Sequence, residues 1–91
     1  TNFYLASLVD ANLSGAFLQR VNFYQADMRA CNLSGAILKD SHLIEAILNE
    51  ANLNGAVLTD TNLSRASLIK ANLSNTDLTG ADLSDTNLRQ V

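Results

Sequence analysis

Four stretches decide the fold: Asn12-Leu13-Ser14-Gly15-Ala16, Asn32-Leu33-Ser34-Gly35-Ala36, Asn52-Leu53-Asn54-Gly55-Ala56 and Asn72-Leu73-Ser74-Asn75-Thr76. Each lies 20 positions after the one before. Stepping outward from Leu13 by fives gives an apolar column without a break. It opens Phe3, Leu8, Leu13, Leu18, Phe23, Met28, Leu33 and stays leucine through Leu53 and Leu73 to Leu88. Two places before each member sits a small residue, usually alanine, with Val21, Cys31, Ser41 and Thr61 among the exceptions. Between the two columns runs a third that is rich in Asn and Asp, including Asn12, Asn22, Asp27, Asn32, Asn52, Asn62, Asn72, Asp82 and Asn87.

An α-helix cannot use this spacing. At about 100° per residue, steps of five would leave successive leucines about 140° apart, sprayed around the axis. A flat strand fails as well, because odd steps alternate faces. A leucine-rich horseshoe needs unequal leucine spacings. One geometry turns every leucine inward: each pentapeptide forms one side of a square, and the chain bends at every corner. Four sides make a coil of 20 residues, and stacked coils pair like parallel strands about 4.8 Å apart. The chain then makes about four and a half coils, a column on the order of 22 Å tall.

Gly15, Gly35, Gly55 and Asn75 recur at one corner. A type II turn needs positive φ at its third residue, which Gly and Asn tolerate best. The spacing therefore predicts stacked type II turns at Ser14-Gly15, Ser34-Gly35, Asn54-Gly55 and Ser74-Asn75. The other three corners lack this column and are expected to use a different turn. The sequence has no proline, as suits a fold in which a missing N–H would break a bond between coils.

The motif Ala-(Asn/Asp)-Leu-x-x, as in Ala51-Asn52-Leu53 and Ala81-Asp82-Leu83, resembles the pentapeptide repeat family, and the resemblance spans essentially the whole chain. It implies an all-β fold, a right-handed quadrilateral parallel β-helix. The family is abundant in bacteria, cyanobacteria above all, and most members have no known biochemical role. A minority imitate DNA in shape and charge and bind DNA gyrase; those relatives are longer and dimerise through a C-terminal extension.

Composition bounds the rest. Ninety-one residues make one domain, 1–91. A 47% hydrophobic fraction is too high for a disordered chain. A net charge of −3 argues against direct nucleic-acid binding, which wants a basic stripe. No apolar run approaches the roughly 18 residues of a membrane span. The chain opens Thr1-Asn2-Phe3 without methionine, which leaves a longer parent open. The cytoplasm is the expected compartment, with the periplasm and the thylakoid lumen as alternatives.

No constellation suggests an enzyme, a metal or a cofactor. Cys31, the single cysteine, lies in the inward small column and reads as a core substitute for alanine. His42 lies in the Asn/Asp column and reads as a surface ladder member. An inward thiol and an outward imidazole cannot form a nucleophile–base pair, and one histidine among scattered carboxylates makes no metal site. The Asn12, Asn32, Asn52, Asn72 ladder reads as structural, its amides bonding nearby backbone and stacking between coils. Threonines scattered over several columns do not make a flat ice-binding array.

Two outward stripes carry the functional expectation. Phe17, Ile37 and Val57 stack at 20-residue spacing before giving way to Asp77; Tyr4, Tyr24 and Ile44 stack likewise before Ser64. Contiguous exposed apolar surface marks interaction sites, although packed neighbours in a β ladder also favour such residues. The leading expectation is a non-enzymatic scaffold that docks an unidentified protein or self-associates, laterally or end to end. The alternative is a DNA-mimic inhibitor of a type II topoisomerase. That needs a dense acidic face, and the corner rows are mixed: Arg20, Asp40, Asp60, Gly80; Leu5, Gln25, Glu45, Arg65, Asp85; Asp10, Ala30, Glu50, Lys70, Gln90.

Overall fold

The structure, a computed structural model, describes residues 2–91. From Asn2 to Ser67, every fifth residue forms a parallel bridge to the residue 20 further on. The chain is therefore a β-solenoid with four stacked faces. Their central residues run Asn2, Asn22, His42, Asn62, Asp82 on the first face and Ser7, Asp27, Ile47, Ser67, Asn87 on the second. The third carries Asn12, Asn32, Asn52, Asn72, and the fourth Phe17, Ile37, Val57, Asp77. Its extents are 29 × 23 × 23 Å.

The backbone bonds between coils repeat with the pentapeptide. On the third face the Leu13 N–H donates to the Asn32 carbonyl at 2.7 Å, the Gly15 N–H to Ser34 at 2.8 Å, and the Asn32 N–H to Ala11 at 2.8 Å. Each pentapeptide of the inner coils thus spends its backbone groups on the coils above and below. Buried polar groups must be paired in this way.

The leucine column fills the interior. Phe23, Met28, Leu33, Leu43, Leu48, Leu53, Leu58 and Leu63 are all fully enclosed, with Ala26, Ala36, Ala46 and Ala56 between them. Phe3 stacks on Phe23 with ring centroids 5.3 Å apart and 7° between planes. Phe3 and Leu13 at one end and Leu73 at the other pack on this core while only partly buried. Each leucine fully buried contributes roughly 1.5–3 kcal/mol. The two buried hydroxyls are satisfied: Ser41 Oγ donates to the Leu38 carbonyl at 2.6 Å and Thr61 Oγ1 to the same oxygen at 2.7 Å.

The corners correct one expectation. The three corners outside the Gly15, Gly35, Gly55 column do not use a different turn. Fourteen non-glycine residues, from Leu5 and Asp10 to Asp85 and Gln90, hold φ between 55° and 62°; Gly15, Gly35, Gly55 and Gly80 hold 67° to 73°. Across the corner the N–H of the next residue returns to the leucine carbonyl, as Ala46 does to Leu43 at 3.1 Å and Ala16 to Leu13 at 3.1 Å. That bond with positive φ at the third residue is the type II signature. Arg20, Glu45, Arg65 and Lys70 are thus held in the left-handed region, because the coil geometry overrides side-chain preference. No Val, Ile, Thr or aromatic residue stands at any of these positions. Such residues are the true outliers at positive φ, and their exclusion is the sequence signal for the corners.

Candidate interaction face

The Asn/Asp column is a set of local turn locks. Asn12 Oδ1 accepts the Ser14 N–H at 3.1 Å, Asn32 the Ser34 N–H at 3.0 Å, Asn52 the Asn54 N–H at 3.0 Å and Asn72 the Ser74 N–H at 2.9 Å. Asn22, Asp27, Asn62, Asp77, Asp82 and Asn87 do the same for the residue two places on. Short polar side chains are suited to this turn bond. The expected ladder is thus a stack of corners each locked from within, its side-chain oxygens turned to their own backbone.

On the fourth face that lock is missing at three successive levels. Phe17, Ile37 and Val57 occupy the column and bridge one to the next, Phe17 to Ile37 and Ile37 to Val57. None can accept the N–H of Gln19, Lys39 or Thr59. A turn hydrogen bond worth about 1 kcal/mol is given up at each level in exchange for apolar surface. Phe17 is 77% exposed, while Ile37 and Val57 are half-buried.

The borders of this face are unlike. On one side runs the corner of Gly15, Gly35 and Gly55, around which a Cβ would meet open space or graze backbone at 4.0 Å. On the other runs the charged corner of Lys39 with Arg20, Asp40 and Asp60. At Gly80 the row is closed by the Asp60 carboxylate, which leans onto the position a Cβ would take.

The second stripe is a stack around a different corner. Tyr4 and Tyr24 lie parallel with centroids 5.6 Å apart and 11° between planes. Tyr4 is 51% exposed; Tyr24 and Ile44 are half-buried. The two stripes sit on separate parts of the prism and do not merge. Leu5 and Val9 are also exposed, so outward apolar surface concentrates in the first 20 residues.

Charge does not gather into one acidic wall. Arg65 sits 3.5 Å from the Glu45 carboxylate, and Gln25 donates to the same group at 3.0 Å. Arg29 clamps Asp27 through Nε and Nη2 at 2.9 and 2.8 Å. That clamp first of all holds the Asp27 carboxyl below its ordinary value of 3.8. The Thr79 hydroxyl lowers Asp77 and the Ser84 hydroxyl lowers Asp82 in the same way, each helped by a backbone N–H. A carboxyl depressed in the folded state adds stability that is full above its unfolded value and lost as pH falls through the folded one. Stability should therefore drop on acidification below about pH 3.8. Replacing Asp27, Asp77 and Asp82 together by Asn, which keeps the turn lock, should flatten that limb in urea titrations at pH 2–4 and lower stability at pH 7 toward its acid value.

Cys31 is fully enclosed, and burial pushes its thiol up to about 11. His42 is exposed on the first face. The two point to opposite sides of the wall. Among the described residues no group of His, Cys, Asp and Glu converges, and no helix is long and apolar enough to cross a membrane.

The geometry agrees with what the chain is similar to. A family model described as pentapeptide repeats matches residues 6–43, 36–73 and 56–91. Among solved structures the chain is similar to HetL, a pentapeptide repeat protein involved in heterocyst differentiation regulation from the cyanobacterium Nostoc sp. strain PCC 7120. They share 33% identity and a TM-score of 0.81 over 96% of this chain and 46% of HetL. A second pentapeptide repeat protein from Nostoc is 36% identical over 88% of this chain and 62% of its own, with a TM-score of 0.57. One from the Arabidopsis thaliana thylakoid lumen is 28% identical over 97% and 65%, also at 0.57. The chain thus spans about half of HetL and under two thirds of the others. No curated protein matches it.

Proposed function

Because the chain belongs to the pentapeptide repeat family, whose solved members are right-handed quadrilateral β-helices, we propose that it is a rigid, non-enzymatic scaffold that docks protein on its fourth face. It forms one continuous domain over residues 1–91 of about four and a half coils. The observation that carries the docking reading is the run of three successive levels, Phe17, Ile37 and Val57, where apolar side chains replace the turn lock. The wall beneath is held by bonds between coils, so the face is presented without reorganisation, which lowers the cost of association. HetL is involved in regulating differentiation, and a docking role here is consistent with that.

The test is a photo-crosslinking amino acid placed at Phe17, and in parallel at Asn72 on the third face. A discrete protein adduct from Phe17 and none from Asn72 is expected in cells that make the protein. Equal labelling from both positions, or none from Phe17, would end the docking reading. The DNA-mimic alternative has its own check. Because Arg65 covers Glu45 and Arg20 and Lys70 break the acidic corners, gyrase supercoiling should proceed unchanged at large molar excess. Inhibition at low micromolar concentration would instead make the topoisomerase reading the leading one.

A further inference from the structure

We propose that the fourth face is covered by a second copy of this chain, running antiparallel, with Ile37 on the two-fold axis. The inference rests on the docking reading and names its occupant. Three features of the face point to self-pairing rather than to an unrelated protein.

The first is taper. Down the stripe the side chains shrink from Phe17 through Ile37 to Val57, one level per coil. A two-fold axis across the face at Ile37 sets Phe17 against the partner copy's Val57, Ile37 against Ile37, and Val57 against Phe17. Large meets small at each end and equal meets equal in the middle. The gap between two flat walls is then filled evenly, as close packing requires. A parallel pairing would set Phe17 on Phe17 and leave the Val57 level hollow.

The second is charge. The same rotation keeps each column opposite itself and reverses its order. Arg20 therefore faces the partner copy's Asp60, and Asp60 faces its Arg20. Lys39 and Asp40 of both copies meet near the axis as a net-neutral set. Among the described residues the ion pairs join Arg29 to Asp27 and Arg65 to Glu45, and none engages Arg20, Lys39, Asp40 or Asp60. Isologous surfaces are self-complementary in this sense, and charge order of this kind fixes register.

The third is relief. The opposite border is the Gly15, Gly35, Gly55 corner, with no side chain to hold two walls apart. On the rotation it meets the same corner of the partner copy. Asp77, the next residue down the column, lies outside the three paired levels.

Size sets the strength. Three paired levels about 4.8 Å apart, across a face within 23 Å, offer roughly 300–400 Å² per copy, against about 800 Å² for a standard stable interface. The pairing should be reversible, with dissociation in the micromolar range rather than tighter.

Sedimentation equilibrium and disulfide trapping decide it. The unmodified protein should dimerise at high micromolar concentration. Arg20→Asp should weaken the dimer at least tenfold, and adding Asp60→Arg should restore most of the affinity. Arg and Asp both already occupy this corner at positive φ, so neither change should disturb the turn. Under mild oxidation Ile37→Cys should form a disulfide dimer. Phe17→Cys mixed with Val57→Cys should form a mixed disulfide, while each of these two alone should not; enclosed Cys31 stays silent. A monomer at the highest attainable concentration would overturn the self-pairing while leaving the docking reading to the crosslinker at Phe17. Efficient trapping of Phe17→Cys with itself would overturn the antiparallel arrangement.

Discussion

Truncating Leu48 to alanine should cost about 2–5 kcal/mol, read as a lower urea midpoint. Leu48 is fully enclosed, and its backbone N–H is fixed at 2.7 Å to the Ser67 carbonyl. The coil wall is therefore held in place and cannot collapse into the cavity. A site that cannot relax lies toward the upper end of that range. Position also matters in a solenoid, where stability is a sum of each coil and its contacts with neighbours. Leu48 lies mid-column, so its loss weakens contacts on both sides. The control is Leu88→Ala in the same stack. Leu88 is 40% exposed and has coils on one side only, so its truncation should cost less than half as much. Equal costs at Leu48 and Leu88 would mean that the column does not act as a continuous core.

Gly35→Val should cost about 1–3 kcal/mol, and more than Gly35→Ala at the same site. Space does not limit either change, because a Cβ on Gly35 meets nothing within 4 Å. The penalty comes from holding φ at +67°. For a side chain with one Cβ substituent that conformation costs roughly 1–2 kcal/mol. A β-branched side chain fares worse, since its second branch crowds the backbone. The local nature of the penalty can be checked by repeating the change at Gly15 in the first coil, where the surroundings are equally open. A valine no worse than alanine at Gly35 would show that the corner yields, and that the shared turn is not imposed by the coils.

How much of this was written in the sequence depends on which residues are asked. Leu33, Leu53 and the alanines two places before them declared the square coil, because strict spacing by five leaves no other geometry that buries them all. The 20-residue echo of Asn12, Asn32, Asn52 and Asn72 declared the stacking. The corners were misread. Gly15 and Asn75 advertise positive φ, but Glu45, Arg65 and Lys70 adopt it without advertising it. Closing a square demands the same turn four times, whatever side chains stand there. The signal was one of exclusion, in the β-branched residues missing from every fifth position. The stripe residues were legible as neighbours but not as surfaces. Phe17 is exposed while Ile37 and Val57 are half-buried, a difference that residue type alone does not show. The loss of the turn lock at three successive levels, Phe17, Ile37 and Val57, could be seen only once the Asx bonds elsewhere in the column were in view.

The uniform corner has a consequence for how such a gene can change length. Since every side ends in the same turn, a duplicated pentapeptide slots into the wall without disturbing the leucines above or below it. It does, however, give every later residue a quarter turn about the axis. Inserted between Phe17 and Ile37, five extra residues would leave the core intact and carry Ile37 and Val57 round to the neighbouring wall. Only a whole added coil would keep the stripe in line. Selection for a continuous apolar stripe would thus be recorded in the lineage as growth by full coils, whereas selection for stability alone would tolerate growth by single sides.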